Sequence, residues 1–338
     1  MFEPPTLKDI AIALGLSTST VSRALRDTYE ISSKTKKRVL DYAQSINYQP
    51  NPNALSLKER RSKSIGVVVS EVANHYFSQA ISGIESIAYD RGYHIIISQT
   101  HESYEREKIN VQHLASRSVD GLLVSLSAET NDISHLKELH DKGMPIVFFD
   151  RVSNEIETHK VRADNFQGAF DATEHLIKTG YKRIAHLTSS PHLSISIERL
   201  EGYMAALNKY NIPVHSDYIK NCPHGGMFPE ETERAVLDLL QLQEKPDAIF
   251  IAGDRLSIGC MEILKKLNVK VPDELALAGF SNSDVLDLFE IRLSSVRQPA
   301  FEMGQAATEM LLKILESKYP ITEFENRTIA TKLFIRNS

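Results

Sequence analysis

From Ser64 onward, short apolar segments alternate with amphipathic stretches in two successive series. The first series contains SIGVVVS, YHIIIS, DGLLVSL and PIVFFD, and the second, from about Lys160, contains KVRAD, RIAHLTS, DAIFIAG and ELALAGF. Short all-apolar strands between helices indicate parallel sheets that are buried on both faces. Two such series predict two doubly wound α/β lobes, which agrees with a chain of 338 residues, too long for one ordinary core.

The first sixty residues show helical signals instead. Thr6 and Asp9 fit a capping box at the start of a helix that Gly15 ends, and Ser17 fits the N-cap of a second helix. Two short helices joined by a tight turn that contains Gly form a helix-turn-helix. A third helix is predicted from about Ser33 to Asn47. The sequence therefore predicts an all-α head followed by an α/β body.

The second helix opens with the unusual run STSTVSRAL. Helix-turn-helix proteins read DNA with the N-terminal residues of this helix, where short hydroxyls allow a close approach and an Arg reaches a guanine edge. The alternative is that these hydroxyls only cap a surface helix. The candidate DNA-binding residues of the head are Thr6, Ser17, Thr18, Ser19, Thr20, Ser22, Arg23, Tyr29 and Lys34.

Charge is distributed unevenly between the two regions. Residues 1–63 contain 11 Lys or Arg and 6 Asp or Glu, a net charge of +5, so the rest of the chain carries −10 of the total of −5. A basic head on an acidic body is what a DNA-binding segment attached to another module shows.

Polar side chains follow the predicted strands of the body, where doubly wound sheets bind their ligands. Their mixture of carboxylates, guanidiniums, hydroxyls and aromatic rings suits a polyhydroxylated ligand. Other roles stay open for some of them: Asp164 and Asn165 also fit a helix cap, Arg199 a salt bridge between lobes, and Phe77 the core. The positions after the strands are Ser70 to Phe77, Ser125, Ser127, Asp150, Arg151, Asp164, Asn165, the loop to Arg199, Asp254, Ser281 and Asn282.

Three segments resemble, in their order along the chain, the lactose-repressor (LacI/GalR) family of bacterial transcription regulators. They are TLKDIAIALGLSTSTVSRAL, KTKKRVLDYAQSINYQPNPNALSL and the strand SIGVVV. The resemblance extends over nearly the whole chain and implies two lobes of periplasmic-binding-protein type. It implies a helix-turn-helix domain at 1–48, a linker with a hinge helix at 49–63, and an effector-binding and dimerisation domain at 64–338. Within that domain, lobe 1 is expected at about 64–160 plus 293–322, and lobe 2 at about 161–292 plus 323–338.

The resemblance also implies roles for linker residues. In the family, the linker helices of two subunits fold on operator DNA and a Leu wedges into the minor groove. Its distance from Pro50 makes that residue Leu57 here, with Asn53 and Ala54 as further DNA-binding candidates. Packing of Leu57 against its own domain is the alternative. Leu55 stands where an Arg is common in the family.

For the effector, the resemblance assigns Arg199 in RLEGY to the family's effector-binding Arg and Phe228 to an aromatic wall across the cleft. Ser281 in GFSNSD stands where many members have a ligand-binding carboxylate, so lactose or purine specificity does not transfer simply. The expected effector site consists of Ser70, Tyr76, Phe77, Ser125, Asp150, Arg151, Arg199, Phe228, Asp254, Ser281 and Asn282.

These features predict a dimeric transcriptional repressor that binds a pseudo-palindromic operator in double-stranded DNA and responds to a small-molecule effector. The effector is expected to be a sugar or sugar derivative, with a nucleoside or a sugar acid left open. The alternative is a cytoplasmic sugar-binding protein without DNA function. The leucine-heptad tail of the tetrameric lactose repressor does not occur, which favours a homodimer.

The sequence does not favour an enzyme, a metalloprotein or a membrane protein. The motifs GxGxxG, GxxxxGK[ST], GxSxG and HExxH do not occur, so no enzyme activity, cofactor or metal is expected. No apolar run approaches the length of a membrane helix. The N-terminal MFEPPTLKDI does not fit a secretory signal, so we expect no membrane partner and a cytoplasmic location.

Overall fold

A computed structural model describes residues 5–26, 31–48, 61–117, 119–283 and 293–336. The chain forms two units, residues 1–62 and residues 63–338. Most of the predicted linker at 49–63, including its hinge helix, lies outside the described residues, and so do the predicted DNA-binding residues Tyr29, Asn53, Ala54 and Leu57.

The described part of the head has three helices: α1 (Leu7–Leu14), α2 (Thr18–Leu25) and α3 (Ser33–Ser45). The predicted capping box of Thr6 and Asp9 is present, and Gly15 ends α1 with a left-handed φ of 65°. The third helix ends two residues earlier than predicted. The three helices bury one small core, formed by Ile10, Ala11, Val21, Ala24, Val39 and Ala43.

The first sheet of the body is parallel throughout and has the strand order β11-β5-β4-β3-β1-β2. The strands, numbered along the chain, are β1 (Ser64–Val69), β2 (His94–Gln99), β3 (Gly121–Val124), β4 (Ile146–Phe149), β5 (Lys160–Ala163) and β11 (Asn326–Ile329). Apolar clusters cover both faces, one of them including Ile65 and Val147 and the other Val68 and Phe148. This double burial explains why the strands read as continuous apolar runs.

The second sheet has the order β12-β10-β9-β8-β6-β7, and β12 alone of these strands runs antiparallel to its neighbour. It too is covered on both faces by apolar clusters. Its strands are β6 (Ile184–Thr188), β7 (Ile219–Asn221), β8 (Ala248–Ile251), β9 (Ala276–Phe280), β10 (Ser294–Arg297) and β12 (Lys332–Phe334).

Helices follow most strands, as the sequence predicts. Those beside the first sheet are α4 (His75–Asp90), α5 (Tyr104–Ser116), α6 (Ser134–Asp141) and α11 (Ala300–Glu316). Those of the second lobe are α7 (Asn165–Thr179), α8 (Ser194–Lys209), α9 (Pro229–Leu240) and α10 (Asp254–Lys266), with one 3-10 turn at Ser216–Tyr218. α4 and α11 cross so closely that a Cβ on Gly83 or Gly304 would collide with the other helix's backbone. None of the described helices is long and apolar enough to cross a membrane.

The predicted boundaries of the lobes are wrong for three strands. β5 and β11 belong to the first sheet rather than the second, and β10 belongs to the second sheet rather than the first. β10 joins β9 in parallel pairing, so the predicted return to the first lobe begins with α11 and not with the strand before it. The chain passes between the lobes after β5, after β10 and after β11.

Candidate functional site

The N-terminal end of α2 presents short hydroxyl groups. The Ser17 Oγ accepts a hydrogen bond from the Thr20 backbone N–H at 3.1 Å and lies 2.8 Å from the hydroxyls of both Ser19 and Thr20. Thr18, Ser19 and Arg23 are exposed, while Ser22 accepts a hydrogen bond from Arg26 Nη2 at 2.8 Å. Capping therefore accounts for Ser17, and the hydroxyls beyond it lie on the outside of the helix.

The other described DNA-binding candidates also lie on the surface of the head. Thr6 is the N-cap of α1, and its hydroxyl donates to the Asp9 carboxylate at 2.7 Å. Lys34 is exposed in the first turn of α3, where a positive charge opposes the helix dipole and an anionic partner such as a phosphate would compensate it.

A small cavity in the body lies at the carboxyl ends of strands from both sheets. Seven of the eleven predicted effector residues line it: Ser70, Tyr76, Phe77, Asp150, Arg151, Arg199 and Asp254. They come from both lobes, as expected when two doubly wound sheets meet at a cleft.

On the first-lobe wall, Arg151 forms a buried, two-pronged ion pair. Its Nη1 donates to Glu102 Oε2 at 2.5 Å and its Nη2 to Oε1 at 3.0 Å. The Ser70 hydroxyl and the Ala128 backbone N–H also donate to this carboxylate. Burial opposes both charges, but the attraction and the hydrogen bonds prevail, so the pKa of Glu102 is lowered and that of Arg151 is raised.

Asp150 and the aromatic pair complete this wall. Burial raises the pKa of the Asp150 carboxyl, although Arg151 and Arg199 act to lower it. Tyr76 and Phe77 meet edge to face with ring centroids 5.2 Å apart, and both are buried. The Tyr76 hydroxyl donates to the Met303 sulfur at 3.6 Å, and burial raises its pKa well above the ordinary value.

On the second-lobe wall, Arg199 is equally buried but has neutral hydrogen-bond partners. Its Nε donates to Asn165 Oδ1 at 2.9 Å and its Nη1 to the Ala252 carbonyl oxygen at 2.6 Å. Its guanidinium lies 3.8 Å from the centre of the Phe280 ring. Burial lowers the pKa of Arg199 to about 10, although Asp150 acts in the opposite direction. Within the described residues, the predicted alternative of a lobe-bridging salt bridge is not seen for Arg199.

Ser281 and Asn282 do not line the cavity but support residues that do. The Ser281 hydroxyl donates to Asp254 Oδ1. Asn282 donates to Gln79 Oε1 and to the Gln298 backbone oxygen, both at 2.8 Å, and so connects the second sheet with α4 of the first lobe. Burial raises the pKa of Asp254 despite the Ser281 hydrogen bond.

Two further predicted effector residues also lie away from the cavity lining. Ser125 is fully buried, and its Oγ has no hydrogen-bond partner among the described residues. Phe228 is 45% exposed at the start of α9, and its ring packs edge-on against His224 at 4.7 Å. Asp164 caps α7 by accepting from the Gln167 N–H at 3.0 Å, so the capping alternative holds for this residue.

Several cavity residues were not predicted individually. Glu102, Ser189, Arg255 and Gln298 line it, as does Glu71, which lies within the predicted segment after β1. Glu71 and Arg255 form an ion pair that joins the two lobes. Ser189 and Gln298 directly follow β6 and β10, so the rule of searching the carboxyl ends of strands could have identified both.

Comparison with known proteins gives two family matches. Residues 6–51 match the model of bacterial regulatory proteins of the lacI family, and residues 173–338 match a periplasmic binding protein-like domain. The HTH-type transcriptional repressor CytR of Escherichia coli (strain K12) is 31% identical over 333 residues, covering 98% of this chain and 96% of the relative.

Two solved structures have the same fold. A transcriptional regulator CelR–cellobiose complex matches with a TM-score of 0.73 and 26% identity, covering 99% of each chain. A lac repressor dimer bound to operator and the anti-inducer ONPF matches with a TM-score of 0.81, also covering 99% of each chain, and at 23% identity this match concerns the fold alone.

Proposed function

Because the chain belongs to the lacI family of bacterial regulatory proteins, which are DNA-binding transcriptional regulators with a ligand-binding domain, we propose which residues carry each task. Membership of this family decides against an enzyme and against a sugar-binding protein without DNA function. Within this function we propose an operator contact, a ligand site, a homodimer and a cytoplasmic location.

For the operator, α2 enters the major groove with Thr18, Ser19 and Arg23 toward the bases. The observation that carries this proposal is the exposed row of short side chains at the N-terminal end of α2, which leaves the backbone free to approach base edges. Lys34 faces a phosphate. Leu57 is the proposed minor-groove wedge. The remaining residues of the proposed operator contact are Thr6, Ser17, Thr20, Ser22, Tyr29, Asn53 and Ala54.

For the ligand, the cleft residues Asp150, Arg151, Arg199 and Asp254 hold a small effector, with Tyr76 and Phe77 against its ring. The chain acts as a homodimer on a pseudo-palindromic operator, and ligand binding changes the spacing of the first lobes and thereby the stability of the linker helices. Coupling of this type is typically about 1–3 kcal/mol and reciprocal, so operator DNA changes effector affinity by the same factor.

The test is selection of duplexes from a random pool by the full chain, followed by binding measurements at about 50–200 mM salt. We expect enrichment of a palindrome, and we expect Arg23→Ala to weaken its binding by about 1–3 kcal/mol while relaxing specificity at one base position. Arg106→Ala, which removes an exposed Arg from α5 of the body, is the matched control. Failure to enrich any palindrome, or equal losses for the two variants, would contradict the proposal.

A further inference from the structure

The loop after β3 reaches from the first lobe to the second. Its Ala128 is buried in a small apolar cluster with Leu193 and Ile195, at the start of α8 in the second lobe. The next residue, Glu129, places its Oε1 atom 3.2 Å from Nε2 of His224, which belongs to the second lobe. These two contacts make the loop part of the surface on which the lobes meet.

On the second lobe, His224 faces one carboxylate with each ring nitrogen. Its Nδ1 lies 2.5 Å from Oε1 of Glu231 in α9, and its backbone N–H donates to Oε2 of the same carboxylate at 3.1 Å. Its Nε2 faces Glu129 of the first lobe, and the Phe228 ring packs edge-on against the imidazole. On the same loop, burial raises the pKa of the Cys222 thiol to about 12, so this group stays neutral.

Only the charged imidazole satisfies both contacts. A neutral ring has one N–H and would turn a lone pair toward one of the carboxylates, whereas an imidazolium donates from both nitrogens. The hydrogen bond with Glu231 raises the pKa of His224 above its ordinary 6.5, burial acts to lower it, and Glu129 adds to the increase. When one proton leaves, the shorter contact and the additional backbone hydrogen bond keep the other proton on Nδ1, beside Glu231. Deprotonation therefore breaks the contact between the lobes and preserves the contact within the second lobe.

We propose that His224 and Glu129 form a proton-dependent latch that favours the closed arrangement of the two lobes seen in this structure. The Glu129 carboxylate faces the imidazolium only while the lobes are closed, so the closed state binds the proton more tightly than the open state. The contribution of the latch is complete below the open-state pKa of His224 and is lost as the pH rises through the closed-state pKa. This device goes beyond the proposed function, because it acts on the lobes whatever effector binds between them.

The latch is connected to the walls of the cavity on both sides. The Glu129 backbone N–H donates to the carbonyl oxygen of Glu102, which lines the cavity, at 3.2 Å. The Tyr104 backbone N–H donates to Glu129 Oε2 at 2.9 Å, which leaves Oε1 for His224. Gly225, the neighbour of His224, lines the same cavity from the second lobe. A proton on His224 therefore acts on two segments that shape the cleft.

The expected strength of the latch follows from its exposure. The His224 side chain is 28% exposed and that of Glu129 is 42% exposed, so solvent screens their attraction. The Glu71–Arg255 ion pair also joins the lobes and remains when the latch is lost. The latch thus adjusts a balance, and we expect protonation to change the ratio of closed to open molecules by about two- to fivefold.

Fluorescence energy transfer between the lobes tests the latch in the full chain without effector or operator. The dyes are attached through Lys137→Cys in α6 of the first lobe and Asp238→Cys in α9 of the second, both at exposed positions, while the two natural cysteines are buried. An excess of unlabelled chain ensures that an assembly carries one labelled copy. From about pH 5.5 to about pH 9, where an ordinary carboxylate stays ionised, we expect the closed fraction to fall. Its midpoint should match the titration of the His224 ring signals in NMR spectra.

Two substitutions remove the latch in different ways. His224→Gln removes the titrating group and should abolish the pH response. Glu129→Gln keeps an oxygen for the Tyr104 N–H but turns an amide N–H toward His224, which the neutral Nε2 accepts, so the response should vanish or reverse its sign. His215→Gln, which removes an exposed His from the same lobe, is the matched control and should keep the natural response.

Two kinds of outcome contradict the latch. A closed fraction that does not depend on pH in the natural chain, or a response of natural sign that survives in either His224→Gln or Glu129→Gln, overturns the proposal. His75 of α4 offers a competing source, because it acts to lower the pKa of Asp254 in the second lobe. Loss of the response in His75→Gln, together with a full response in His224→Gln, would assign the pH dependence to that pair and reject the latch.

Discussion

Arg151 of the first lobe and Arg199 of the second are both buried at one cleft, but their neighbours differ. Arg151 shares two hydrogen bonds with the Glu102 carboxylate. Arg199 has an amide oxygen, a backbone oxygen and the Phe280 ring around it. The pKa values follow these surroundings, since burial is overcome by Glu102 at Arg151 but lowers the pKa of Arg199 to about 10.

Two of the buried histidines, one in each lobe, show the same difference. His135 in the first lobe lies 3.1 Å from the Glu107 carboxylate. His186 in the second lobe is stacked against both Tyr203 and Phe250, with each ring centroid 5.0 Å away. Burial lowers the pKa of His186 to about 3.

The comparison shows two ways of holding a buried basic group. A carboxylate partner fixes its position and neutralises it, which makes the first-lobe wall a preformed structure. Aromatic rings support the group but leave its charge or polarity largely uncompensated. Among the described residues, Arg199 of the second lobe thus keeps a guanidinium whose charge no carboxylate pairs directly, and under the proposed function its N–H groups are donors for the ligand.

The largest loss of stability is expected from substitution of Arg151, the Arg that pairs with a carboxylate. Arg151→Met leaves the Glu102 carboxylate buried without its counter-charge, so we expect the free energy of unfolding to fall by roughly 3–5 kcal/mol. Urea unfolding followed by circular dichroism measures it. The double variant Arg151→Met/Glu102→Leu removes both charges and should recover most of the loss. A cost below about 1 kcal/mol for the single variant would show that the pair is not structural.

A smaller effect, on the pH dependence of stability, is expected from His186. Its pKa is lower in the folded state, about 3, than the ordinary 6.5, so the unfolded chain binds more protons below pH 6.5 and stability falls as the pH falls. The expected contribution is a loss of about 2 kcal/mol at pH 5 relative to neutral pH. His186→Phe keeps a ring in the stack and removes this loss. Unfolding curves at pH 5 and pH 7.5 measure it, and an unchanged pH dependence in the variant would rule out His186 as its source.

The local parts of this architecture could be predicted from the sequence. The caps at Thr6 and Ser17 depend on residues within three positions, and the buried strands depend on continuous apolar runs, so both were recognisable. Seven of the predicted effector residues line the cavity because the chain direction of parallel strands places their carboxyl ends together.

The parts of the fold and of the site that the sequence does not predict depend on contacts between residues far apart in the chain. The sequence predicts the wrong sheet for β10, because the pairing of this strand with β9, and not its own composition, decides where it lies. Glu102 and Arg151 are 49 positions apart, and no spacing rule relates them. Ser281 and Asn282 directly follow β9, yet they hold Asp254 and connect the lobes rather than line the cavity.

The smallest stability effect is expected at the Arg without a carboxylate partner. Arg199→Met loses the hydrogen bonds to Asn165 and Ala252, but it also removes a buried charge whose desolvation is poorly compensated, so these two contributions oppose each other. We expect the free energy of unfolding to change by no more than about 1 kcal/mol, against several for the same substitution at Arg151. Binding of the effector proposed for the cleft should be lost all the same, because the N–H donors that Arg199 would offer to it are gone. Urea unfolding and calorimetry of both Met variants check this contrast. Equal destabilisation would mean that Phe280 and the two oxygens neutralise Arg199 as well as a carboxylate does, and the second lobe would then be as preformed as the first.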